Sequence, residues 1–378
     1  MAVPVLHLVS RFWVGGSERQ FIERLRAHPK GYEPIVACLE MSGGNLEEFL
    51  ALGLPAPHVF PLKGSLLRPN TLVQVARLAR LIRTSGARLV HGTEFISNFV
   101  GLLAARLARV PVVVSRVDLG HLREGFGPKH RAVEKWMTRH ADAVSANAQA
   151  VARLCIDEEG SDPTRTFVVP NGLDLARFDE LMQRPLQGPL PDGHPLVAVV
   201  ANLWPVKGHR TLLDAIEIVR RDRPDVRFAL VGDGPERELL QARAPACVSF
   251  LGTRYDVPAI LSRADAFCLP SLAEGLPNAV MEAMAARLPV VASAVGGVPE
   301  LVSAETGFIA EPGNANSLAT HLLRLLNDPR HASELGARGR LKIERDYSLR
   351  RLAERHGELY DALSVHSQSD VGRRALRS

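Results

Sequence analysis

The chain of 378 residues has little of the chemistry that marks several large classes of protein. It holds four cysteines, Cys38, Cys155, Cys247 and Cys268, far apart, with no C-x-x-C pair and each in or beside an apolar stretch. That pattern reads as reduced thiols of a cytosolic protein, with neither a disulfide nor a metal site. Aromatic residues are only 5%, and no dense Lys/Arg run is interleaved with them, so no nucleic-acid partner is expected. Long hydrophobic runs are missing too. The most apolar long window, 95–114, is interrupted by Arg106, Arg109 and Pro111 and does not read as a membrane span. The run Val3–Val9 has no basic stretch before it and reads as a strand rather than a signal peptide. No internal repeat recurs at a fixed period.

What is present fits a soluble globular protein with room for two domains. Apolar residues make up 46% and charged residues 23%. The net charge of +5 suits phosphorylated ligands and a weak attraction to anionic lipid surfaces. Short apolar, β-branched runs alternate with amphipathic helical stretches: 3–9, 34–38, 89–91, 112–115, 197–201, 227–231, 266–269 and 290–293 read as strands. Such alternation implies an α/β protein with parallel sheets covered on both faces. It breaks at 184–195, R-P-L-Q-G-P-L-P-D-G-H-P, which reads as a linker. The expected plan is a first domain over 1–183, a second over 196–346, a helix over 347–365 and a flexible tail over 366–378.

In open parallel sheets ligands lie beyond the carboxyl ends of the strands, so the loops there carry the chemistry. The loop 9–19, V-S-R-F-W-V-G-G-S-E-R, places Gly15 and Gly16 in a tight turn before a helix capped by Ser17, a site for a phosphate or simply a close strand–helix junction. Lys207, in A-N-L-W-P-V-K-G-H-R (201–210), is placed to neutralise a phosphate, or is an ordinary surface lysine. In L-V-G-D-G-P (230–235) Asp233 reads as a helix cap, with Pro235 as the first helical residue.

The most informative loop is P-S-L-A-E-G-L-P-N-A-V-M-E-A-M-A (270–285). Pro277 marks a helix start, Glu274 lies in the loop, and Glu282 lies in the second helical turn. The backbone of Gly275, Leu276, Pro277 and Asn278, at the helix start, is placed to meet an anion. Carboxylates take paired hydrogen bonds from sugar hydroxyls, so one acid suits a transferred sugar and the other a ribose. As plain solvated acids they leave the apolar setting of Glu282 unexplained. The last loop, S-A-V-G-G-V-P-E-L-V (293–302), adds a glycine turn beside it.

With these residues in view, the chain resembles the retaining nucleotide-sugar glycosyltransferases of GT-B fold, glycosyltransferase family 4. The likeness rests on the Gly15-Gly16 loop, V-V-P-N-G-L-D at 168–174, Lys207-Gly208, Gly232-Asp233-Gly234 and the E-x7-E element ending at Glu282. It implies two Rossmann-like domains facing a central cleft, with the donor held mainly by the second and the acceptor by the first, and a last helix returning to the first domain. It implies that Lys207 binds the donor diphosphate, Glu274 faces the sugar, Glu282 holds the ribose, and Gly16 lies close to the diphosphate. Many members carry Arg where this chain has Asn202, so one phosphate cation is either missing or supplied elsewhere, by Arg116 or Arg210. Many also carry a histidine where this chain has Val117, leaving Asp118, His121 or His91 either to fill the space or to serve the fold alone. The implied reaction transfers a sugar from a UDP- or GDP-sugar to an unknown hydroxyl acceptor, a glycan, glycolipid or small-molecule precursor, with retention and with no metal or other cofactor.

The alternatives are a nucleotide-sugar epimerase or phosphorylase on the same plan, or a non-catalytic nucleotide-binding protein. The expected location is cytoplasmic, with weak peripheral association with anionic membranes. That expectation rests on 119–139, where Leu122, Phe126 and Trp136 are interspersed with Arg123, Lys129, Arg131, Lys135 and Arg139. The other reading of this stretch packs Trp136 and Met137 in the core under a solvated charged face.

Overall fold

A computed structural model describes residues 2–62, 68–119 and 127–375. The chain forms two units, one of residues 1–172 with 349–378 and one of 173–348.

In the first unit, seven strands form one parallel sheet: β1 Val3–Val9, β2 Tyr32–Cys38, β3 His58–Val59, β4 Leu89–Gly92, β5 Val112–Arg116, β6 Ala143–Ala146 and β7 Thr166–Val168, in the order β3-β2-β1-β4-β5-β6-β7. Residues alternate between its two faces because successive side chains of a strand point opposite ways. Leu6, Leu8, Val90 and Val112 join one buried cluster with Val75, Leu78, Leu102 and Ala105 of the helices Pro69–Thr84 and Phe95–Ala108. Val5, Leu89, Val113 and Ala143 join another with Leu352, Leu359 and Tyr360 of the helix Leu349–Ala375. Burial on both faces is why these strands read as unbroken apolar runs.

In the second unit, β8 Leu196–Val200, β9 Arg227–Val231, β10 Val248–Gly252, β11 Ala266–Leu269, β12 Val290–Ser293 and β13 Gly307–Ala310 form a parallel sheet in the order β10-β9-β8-β11-β12-β13. The helix His209–Asp222 buries Leu212, Leu213, Ile216 and Val219 against Val197, Val199, Phe228 and Leu230. Both sheets thus have the doubly wound order, which reverses direction between β1 and β4 and between β8 and β11.

The division of the chain differs from the expected one. It falls after Gly172, so the helix Leu175–Met182 and the segment 184–195 belong to the second unit. Hydrogen bonds tie that segment down: Gln187 N donates to Asp256 Oδ2 at 2.7 Å, and His194 Nδ1 bonds Asp265 Oδ2 at 2.7 Å. Its prolines and glycines shape a strap on this unit rather than a free linker. The last helix also runs to Ala375, past 365, where the sequence reading ended it and began a flexible tail.

Candidate functional site

The loops after β8 and β11 leave neighbouring strands at the reversal point of the second sheet, which brings Lys207 and Glu274 together. Lys207 ends a short 3-10 turn, Pro205–Lys207. Gly208 follows at φ 68, where a Cβ would lie 2.0 Å from Pro270 O, so only glycine lets the two loops touch. Leu272 N donates to Val206 O at 2.8 Å and stitches them. Lys207 Nζ then donates to Glu274 Oε1 at 2.7 Å, and Ser271 Oγ donates to the same oxygen at 2.7 Å.

The loop 293–302 supports Glu274 from behind. Gly297 N donates to Gly275 O at 2.6 Å, and Gly296, at φ 52, leaves only 1.7 Å between an added Cβ and Glu274 O. The glycine turn thus packs its backbone against that of Glu274. Pro277 is the N-cap of the helix Asn278–Ala285 and provides no side-chain cap, so the first-turn amides, Asn278 among them, end at the loop after Gly275 and the buried Leu276. Glu282, 4% exposed, sits one turn on among Val280, Met281, Ala283 and Met284, all buried. Asn202 is exposed in the loop after β8.

His209, two residues after Lys207, was not singled out by sequence, where it reads as one more loop residue. It is fully buried, and neither ring nitrogen has a hydrogen-bond partner. Burial, followed by the charge on Lys207, lowers its pKa from 6.5 to about 4. The folded state holds this ring neutral while the unfolded chain protonates it, so its contribution to stability is complete above pH 6.5 and is lost as pH falls towards about 4. The effect is on the order of 3 kcal/mol at most. His209→Phe is therefore expected to keep its melting temperature at pH 7.5 and to lose less of it than the wild type between pH 6.5 and 4.5. Equal losses in thermal melts would contradict this.

Two cations offered as stand-ins at Asn202 are already engaged. Arg116 lies buried in the first unit, paired with Glu159 and, at 3.8 Å, with Glu134. Arg210 is exposed beside the Lys207 loop, with Nε donating to Glu236 Oε1 at 2.7 Å. Asp233 accepts from Gly234 N at 2.8 Å and from Arg237 Nη1 at 2.7 Å. The following helix starts at Arg237 rather than at Pro235.

The remaining candidates lie in the first unit. The helix Gly16–Arg26 has Gly15 as its N-cap without a side-chain cap, which places Ser17 in the first turn, not at the cap. Gly15 is crowded by Glu18, whose Oε2 would lie 2.4 Å from an added Cβ. Asp118 is half-buried just past β5; His121 lies outside the described residues. His91 is fully buried in β4. Arg24 Nη1 can only donate, and does so to His91 Nε2 at 2.9 Å; His91 Nδ1 then carries the proton and donates to Tyr360 Oη at 2.8 Å. Its ring is thereby held within the protein's own network.

Residues 17–172 match the family model described as glycosyl transferase 4-like domain, and residues 194–328 match that described as glycosyl transferases group 1. Over 347 residues the chain is 28% identical to UDP-Gal:alpha-D-GlcNAc-diphosphoundecaprenol alpha-1,3-galactosyltransferase of Escherichia coli, covering 86% of this chain and 88% of that one. It is 30% identical over 325 residues to alpha-maltose-1-phosphate synthase of Mycolicibacterium smegmatis, covering 77% of this chain and 83% of that one. The crystal structure of Anabaena HepE in complex with UDP-glucose aligns with a TM-score of 0.78 at 23% identity, over 96% of this chain and 99% of that one. The chain belongs to this glycosyltransferase family, and its fold is GT-B.

Proposed function

We propose that the second unit holds a nucleotide-diphosphate sugar, UDP- or GDP-linked, and that the protein transfers the sugar to a hydroxyl of an acceptor held by the first unit, with retention of anomeric configuration. The observation that carries this reading is the 2.7 Å pair of Lys207 and Glu274 at the reversal point of the second sheet. Lys207 presents a cation, and the first-turn amides of Asn278–Ala285 present dipoles, for the two phosphates. Glu274, steadied by Ser271, faces the sugar hydroxyls, and buried Glu282 receives the ribose hydroxyls.

In the reaction the bond from the anomeric carbon to the β-phosphate oxygen breaks. The acceptor oxygen bonds to that carbon on the same face, and its proton passes to the departing phosphate oxygen. The protein stabilises the charge on the leaving diphosphate and fixes orientation, with no covalent intermediate and no metal. Incubation with matched donor and acceptor in the presence of a chelator tests this by the product's anomeric proton coupling in NMR. The donor's configuration is expected; an inverted product, or loss of transfer on chelation, would overturn the mechanism.

Peripheral attachment to anionic membranes is part of the same reading. Among the described residues no helix is long and apolar enough to cross a membrane. Leu122, Arg123 and Phe126 lie outside the described residues. On the helix Pro128–His140, Met137 is buried in the core, whereas Trp136 is 38% exposed, and Lys129 and Arg131 on the same helix are exposed. Arg139 is exposed, with Nε donating to Glu159 O at 2.8 Å. Each basic residue near an anionic surface contributes about 1 kcal/mol. Binding to anionic vesicles at low salt, released at high salt, is expected in sedimentation assays; no binding at low salt would remove the membrane from the account.

A further inference from the structure

The first unit contains a cavity at the reversal point of its own sheet. About 40 Å³ in volume, it is lined by Ser17 and Arg24 from the helix Gly16–Arg26, Thr93 after β4, Ser115 at the end of β5, Asn147 after β6, and His356 from the last helix. These polar groups share its wall with the apolar Phe21, Val169 and Leu352. Arg24 is 5% exposed. Its guanidinium donates from Nη2 to Thr93 Oγ1 at 2.8 Å and from Nη1 to His91 Nε2 at 2.9 Å and to Ser115 Oγ at 3.4 Å. All of these acceptors are neutral.

No carboxylate among the described residues pairs with this buried cation. Glu94 acts on it only at a distance, and the Glu94 carboxylate accepts from Ser10 N and Ser97 Oγ instead. The other titratable groups packed around Arg24 cannot serve as counter-charge. His7, His28, His91 and His356 are driven towards their neutral forms, chiefly by burial and with the Arg24 charge contributing. Burial pushes the Tyr360 phenol upward, towards its neutral form. A buried charge without an opposite charge is costly to the fold. Two buried atoms at the cavity are unsatisfied: Arg24 Nε, a donor, and Oδ1 of Asn147, an acceptor on a residue that is 5% exposed. One water needs about 10–15 Å³ by this measure, so the cavity has room for one carboxylate or phosphate head and not for a sugar ring.

We propose that this cavity binds an oxyanion, a phosphate or carboxylate carried by the hydroxylated acceptor, with Arg24 as its counter-charge. The anion accepts from Arg24 Nε, and a neighbouring hydroxyl donates to Asn147 Oδ1. The assignment to the acceptor rests on the glycosyl-transfer reading; the oxyanion site itself rests on the cavity and its unpaired cation.

Calorimetric titration of the full chain with inorganic phosphate, glucose 6-phosphate and glucose tests the proposal. Glucose 6-phosphate is expected to bind at least tenfold more tightly than inorganic phosphate, and glucose not at all. Arg24→Gln removes the charge. Ser17→Asp keeps Arg24 and places a second anion at the cavity, in the first helical turn, where an acid favours folding. Both variants should weaken glucose 6-phosphate at least tenfold, and Lys207→Ala should not. Binding that survives in Ser17→Asp and Arg24→Gln, or is lost in Lys207→Ala, would overturn the site. Equal affinity for inorganic phosphate and glucose 6-phosphate would overturn its assignment to the acceptor. Titration of the same preparation with UDP and GDP separates the two readings, since nucleotides that fail to bind while glucose 6-phosphate still depends on Arg24 would sink glycosyl transfer and leave the oxyanion site standing.

Discussion

Lys207→Ala is expected to fold as the wild type does and to turn over at least about a hundredfold more slowly with saturating donor. Losing one preorganised group that stabilises developing charge costs about 3–4 kcal/mol in the transition state. Lys207 lies on a short turn outside the strands and helices that bury the second unit's core, so its removal leaves that packing intact. The substitution leaves Glu274 Oε1 with the hydrogen bond from Ser271 and without its cation. That lowers affinity as well, but saturating donor isolates the chemical step. Unchanged turnover under those conditions would take Lys207 out of the mechanism, and a lowered melting temperature would make the loss one of folding.

The second large effect separates the two acids of the E-x7-E element. Glu282 is buried among the apolar residues of its helix, and on the proposed reading its contact with the ribose is the same before and during transfer. Such uniform binding sets KM and leaves kcat alone. On the same reading Glu274, whose carboxylate accepts from Lys207 and Ser271, faces the sugar, whose charge and shape change as the bond breaks. Glu282→Gln should therefore raise the donor KM by about tenfold with little change in kcat, whereas Glu274→Gln should lower kcat by about tenfold to a hundredfold. Glutamine is nearly isosteric, so packing is spared in both. Steady-state kinetics in which both variants raise KM alone would show that the division of roles is wrong.

The sequence carried the sheets because their strands are buried on both faces. All eight stretches it marked as strands lie within, or within a residue of, β1, β2, β4, β5, β8, β9, β11 and β12. It passed over five strands: β3, a two-residue edge strand, β6, A-V-S-A, which has a single β-branched residue and looks like a helix fragment, and β7, β10 and β13. The boundary at Gly172 was illegible for a different reason. A run of prolines and glycines signals irregular backbone equally well in a linker and in a strap bonded to a domain, and only partners such as Asp256 and Asp265, far away in sequence, decide which.

At the site, the loops were visible from their glycines and their places after strands, and their charges from the motif. The contact of Lys207 with Glu274 was not, because it depends on the strand order that makes β8 and β11 neighbours. The Arg24 cavity left no signal at all. Ser17, Arg24, Thr93, Ser115, Asn147 and His356 are scattered along the chain, and each alone is an unremarkable polar residue.

Glycosyl transfer by this protein requires that the loops of Lys207 and Glu274 hold a nucleotide diphosphate. Thermal-shift titration with UDP, GDP and their sugars measures this on the wild type and on Lys207→Ala in parallel. At least one nucleotide should raise the wild-type melting temperature in a concentration-dependent way, as any ligand specific to the folded state must, and Lys207→Ala should lose most of that rise. No shift with any of them, or an equal shift in the variant, would contradict it.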